Sequence, residues 1–61
     1  MLDTWTRPSG KGPMAQYTRN TGAAGTVFTV QLEGEILVHT GFAQGELTHE
    51  EIEQRCMDVT D

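Results

Sequence analysis

The apolar residues of this 61-residue chain are unevenly placed, and that limits what it can fold into. After Gly25 come Val27, Phe28, Val30, Leu32, Ile36, Leu37, Val38, Phe42, Leu47, Ile52 and Val59. Before it, Leu2, Trp5, Met14 and Tyr17 stand far apart among glycines, prolines and polar residues. A core drawn from residues 26–61 alone falls below the size of about 40 residues at which a unit needs a disulfide, a metal or a partner. Cys56 is the single cysteine, so no internal disulfide can form. His39, His49 and Cys56 lack the paired close spacing of a structural zinc site, so no metal or other cofactor is expected. Association with another protein, either a copy of the chain or a larger partner, is what remains.

Residues 1–25 read as an extended irregular arm. Pro8 and Pro13 block a helix, and Gly10, Gly12, Gly22 and Gly25 loosen the backbone. Leu2, Trp5, Met14 and Tyr17 are then spaced anchors for a partner, because aromatic rings give large contact area with few torsions to freeze. The competing reading folds Trp5 and Tyr17 back over their own chain.

Residues 26–61 read as a compact hairpin–helix unit. "TVFTVQLEGEILVHT" has the β-branched and aromatic content of two strands around Glu33-Gly34-Glu35. A two-residue loop would pair Val30 with Leu37. A three-residue loop with Gly34 left-handed pairs Val30 with Ile36 and Phe28 with Val38, giving one apolar face, and is preferred. Residues 41–46 form a turn or a short third strand, with Phe42 buried. Residues 47–59 carry a helix signal. Thr48 and Glu51 make a capping box, Leu47 and Ile52 a hydrophobic staple, and Ile52, Cys56 and Val59 an apolar stripe. The expected fold class is therefore α+β: a β-hairpin packed on one C-terminal helix and preceded by the irregular arm.

The net charge of −5 is also uneven. Arg7, Lys11 and Arg19 make the arm mildly basic, while the helix is acidic. Glu50, Glu53 and Asp58 lie together on its polar face and are a second candidate contact surface. The acidic balance argues against direct nucleic acid binding. Met1-Leu2-Asp3 opens no secretory signal, and no apolar run reaches the length of a membrane span, so a cytoplasmic or virion location is expected.

Catalytic motifs are weak. "SGKG" lacks the spacing and context of a phosphate loop. His49 and Glu53 stand one helical turn apart, but two ligands do not make a metal site. His49 and Cys56 are too far apart along a helix to act as base and nucleophile. The expected function is a small non-catalytic assembly or interaction subunit, of the accessory or virus-particle kind, docking through its arm. The alternative is an acidic inhibitor occupying a basic site on a nucleic-acid-handling protein.

Overall fold

The protein is described by a computed structural model covering residues 2–61. Its chain runs β1 (Leu2–Pro8), β2 (Met14–Gly22), β3 (Gly25–Leu32), β4 (His39–Ala43), α1 (His49–Arg55) and α2 (Met57–Thr60). The strands form one antiparallel sheet in the order β1-β2-β3-β4. The expected hairpin on one helix, preceded by an irregular arm, is thus corrected: the segment read as an arm supplies half of a four-stranded sheet.

Alternation explains how a proline- and glycine-containing segment becomes two strands. Successive residues of a strand face opposite sides of the sheet. On β1, Asp3, Trp5 and Arg7 share one face, and their partners Arg19, Tyr17 and Ala15 on β2 share it too. Thr4, Thr6, Gln16 and Thr18 take the other face. Threonine and aromatic residues favour strands, so the polar positions support the sheet as well. The prolines sit where a hairpin tolerates them, Pro8 at the end of an edge strand and Pro13 in the turn. That turn closes with Ser9 N–H donating to Pro13 O at 3.0 Å and Gly12 N–H donating to Ser9 O at 3.1 Å.

The β2–β3 connection is a tight turn at Ala23-Ala24 between the paired Gly22 and Gly25. Gly25 has φ +138°, and a Cβ there would run into the backbone of Ala43, so this corner requires glycine. From it β3 runs with Thr26, Phe28, Val30 and Leu32 all buried on the inner face. Thr26 is fully buried, and its hydroxyl donates to Gly45 O at 2.6 Å.

The β3–β4 register also differs from expectation. Val30 pairs with His39 and Phe28 with Gly41, not with Ile36 and Val38. Gly34 does take positive φ, and Glu35 N–H donates to Leu32 O at 3.0 Å, but residues 35–38 then leave the ladder. The reason lies on the inner face. The Phe28 ring lies over Gly41, where a Cβ would overlap it. Only a glycine opposite Phe28 leaves that room, and the inner row of β3 already has β2 and the helix as cover. Phe42 is consequently on the outer face and 57% exposed, not buried.

One apolar layer lies between sheet and helices. Ala15, Tyr17, Phe28, Val30, Leu32, Leu47, Ile52 and Cys56 form it, with Trp5, Ala43 and Val59 at its margin. Its members come from both sides of Gly25, so the core is larger than residues 26–61 alone supply. The helix start is where the sequence places it. Thr48 Oγ1 accepts from Glu51 N–H at 3.2 Å, and Thr48 N–H donates to Glu51 Oε1 at 3.0 Å. A single helix over 47–59 is interrupted, however, at Cys56, whose φ of −96° and ψ of 9° separate α1 from α2. Thr48→Ala should cost about 0.5–2 kcal/mol, the usual loss on removing an N-cap, read as a lower urea midpoint for helix circular dichroism.

Candidate interaction surface

Two regions bear on function: the seam where β1 meets α1, and the strip of chain leading into β4.

At the seam, Trp5 lies between two rings. Tyr17 stacks on it at a centroid distance of 5.3 Å and 12°, and His49 at 3.8 Å and 11°. Trp5 Nε1–H donates to Glu53 Oε2 at 3.0 Å, and Arg7 Nε–H reaches the same oxygen at 3.3 Å. Alongside, Asp3 Oδ2 accepts from Arg19 Nη2–H at 2.9 Å and bonds His49 Nε2. Arg19 Nη1–H also donates to Leu47 O at 2.7 Å, tying the sheet to the residue just before the helix cap. Each inner-face side chain of β1 thus has a partner on α1 or β2.

These contacts change the position of the expected anchors. Tyr17 is core, at 3% exposed, so its ring does not reach a partner. Trp5 is half-buried and stacks with both Tyr17 and His49. Leu2 and Met14 are exposed on the outer face. Glu50 and Asp58 are exposed on the helices, but Glu53 is held by Trp5 and Arg7. The seven positions therefore do not form one surface.

The His49 bond, followed by the charges of His49 and Arg19, holds the Asp3 carboxyl below its ordinary 3.8. A carboxylate with a depressed folded-state pKa adds stability above its unfolded pKa and loses it as pH falls through the folded value. Asp3→Asn should therefore melt below wild type at neutral pH, and the two curves should converge once acidification, carried below the ordinary 3.8, protonates Asp3 in the folded state as well. A gap that persists in acid would mean the seam does not depend on the Asp3 charge.

Burial, then Asp58 and Glu53, push the Cys56 thiol up, away from a reactive thiolate. His39 is exposed at the start of β4. Among the described residues no group of three or more His, Cys, Asp or Glu stands together as a metal site. No helix among them is long and apolar enough to cross a membrane.

The second region is apolar and open. Ile36 is 98% exposed, Leu37 61% and Val38 47%. Phe42 follows on β4, and Val27, its neighbour across the ladder, is also exposed. The apolar match across the turn favours Ile36 and Val38 as half of a hairpin face, but Gly41 fixes the register and leaves "ILV" outside. The chain matches no known family model, and comparison with curated proteins and with solved structures returned no match either.

Proposed function

We propose that this chain is a non-catalytic protein-interaction subunit whose contact surface is the apolar strip from Ile36 through Phe42. One observation carries the reading. The strip places four large apolar residues in water within seven positions at one edge of the sheet, whereas the other exposed ones, Leu2, Met14, Val27 and Met57, lie apart in the sequence. A contiguous exposed apolar patch at the rim of a small domain marks a place where another protein sits. The contact thus shifts from the arm expected in the sequence to β4, because β1 and β2 are already engaged in the sheet. The buried thiol and the paired side chains at the seam support a non-catalytic role. The acidic-inhibitor alternative has less to stand on, since Glu53 is bonded within the chain. The lone free thiol suits a reducing location such as the cytoplasm, or a virus particle assembled there.

The test is a photo-crosslinking amino acid at position 37, compared with one at exposed Lys11, in cells that make the protein. A single protein adduct formed at 37 and not at 11, whether to itself or to another chain, is the expected result. Equal or absent labelling at both positions would remove the reading.

A further inference from the structure

We infer that the occupant of this strip is a second copy of the chain, added antiparallel along β4 so that two four-stranded sheets become one continuous sheet. The inference rests on the interaction reading above and names its partner.

The two edges of the sheet are unlike. β1 carries Asp3 and Arg7 on its inner face and ends in Pro8, which has no N–H to offer. Inward-pointing charges and proline are the devices that keep an edge strand from pairing with another chain. β4 has none of them. From Ile36 to Gly45 the sequence contains no Asp, Glu, Lys or Arg, and His39 is its one titratable residue. A chain of net charge −5 repels its own copies, so two copies meet at less cost along a strand that carries no acidic residue; the Arg55 side chain of α1 lines a pocket with His39, Thr40 and Gly41 beside it. This is the edge that a sheet extension would use, with main-chain hydrogen bonds giving affinity and side-chain rows giving register.

The strip is also complementary to itself. With Thr40 opposite Thr40 of the second copy, Phe42 faces Val38 and Ala43 faces Leu37. In these two pairs apolar side chains meet on both faces, while His39 faces Gly41 and Ile36 faces Gln44 in the same register. Residues 36–38, outside the ladder in one copy, extend β4 in the pair, and Phe42 and Val38 then continue the outer-face row begun by Val27, which pairs with Phe42 inside one copy. Directly opposed aromatic and β-branched residues are the favourable cross-strand pairs. The arrangement has a twofold axis through the Thr40 pair, so each copy presents the same patch to the other, as in most homodimers. Both helices lie on one side of the joined sheet, leaving the core of each copy intact.

The experiment is sedimentation equilibrium of the purified full chain from about 1 μM to about 1 mM, a range that spans micromolar to millimolar dissociation constants. Wild type should pass from monomer to dimer within it. Leu37→Glu and Val38→Lys, at exposed positions outside the core, should each raise the dissociation constant about tenfold or more, with circular dichroism unchanged. Thr6→Lys, on the outer face of β1, should leave it unmoved. In a mixed sample of isotope-labelled and unlabelled chains, nuclear Overhauser contacts should link Phe42 of one copy to Val38 of the other. A chain that stays monomeric up to the highest concentration overturns the inference. So does a dimer that ignores Leu37→Glu and Val38→Lys or responds to Thr6→Lys. A monomer whose position 37 still crosslinks to one other protein would sink the second copy and leave the interaction reading standing; a monomer with no such adduct would sink both.

Discussion

Ile52→Ala should leave a large share of the protein unfolded in water without denaturant. Ile52 is fully buried in α1, facing the sheet at the middle of the single apolar layer. Truncating a buried Ile to Ala costs about 2–5 kcal/mol, from lost transfer energy and the cavity left behind. A domain of this length has about 3–9 kcal/mol of stability in total. The loss is therefore comparable with everything the fold has. Urea unfolding followed by circular dichroism is the measurement, with Ile52→Val as the graded control at about 0.5–1.5 kcal/mol. If Ile52→Ala melts with wild type, the helix is not held by this layer.

Trp5→Ala should cost about 3 kcal/mol, near the lower end for removing a large aromatic because the ring is only half-buried. Three contacts go at once: the stack on Tyr17, the stack on His49 and the hydrogen bond to Glu53. Trp5→Phe keeps a ring between the other two and loses only the N–H, so it should cost about 1 kcal/mol. The effect belongs in the unfolding curve. Read as an exposed anchor on an irregular arm, Trp5 would affect association and leave stability alone. A Trp5→Ala protein with wild-type stability and weakened association would restore that earlier picture.

How much of this was legible depends on which signal each element carries. The start of α1 was readable because its determinants are local: Thr48, Glu51, Leu47 and Ile52 lie within six residues, the first two forming the capping box and the last two both buried. β1 and β2 were not readable as strands, because their inner faces mix Trp5, Ala15 and Tyr17 with Asp3, Arg7 and Arg19. Those charges look like solvent residues until α1 and β2 supply their partners, which lie up to 46 positions away. Strand preference is present in the threonines, but Pro8, Pro13 and the glycines mask the alternation. The β3–β4 register failed for a related reason. Matching apolar residues across a turn favoured Ile36 and Val38, while the deciding residue was Gly41, whose missing side chain counts only once Phe28 is seen lying over it. For function the sequence suggested association from a small core. The core is larger than it looked, and the case for association rests instead on the apolar strip left outside it.

The seam between β1 and α1 has a consequence for how the chain folds. Its hydrogen bonds join residues 46 and 48 positions apart, from near one end of the sequence to near the other. Loop-closure entropy must be met before such contacts return any stability, and topologies rich in them fold slowly for their size. Until α1 docks, Trp5 lacks the His49 side of its stack, and the Asp3 and Arg7 charges lack their helix partners. Until β1 docks, α1 faces the margin of the core without Trp5. Neither element gains much from waiting in its native place alone. The rate-limiting event should therefore be the meeting of the two, with the β2–β3 hairpin and its Ala23-Ala24 turn formed earlier as the surface on which they meet.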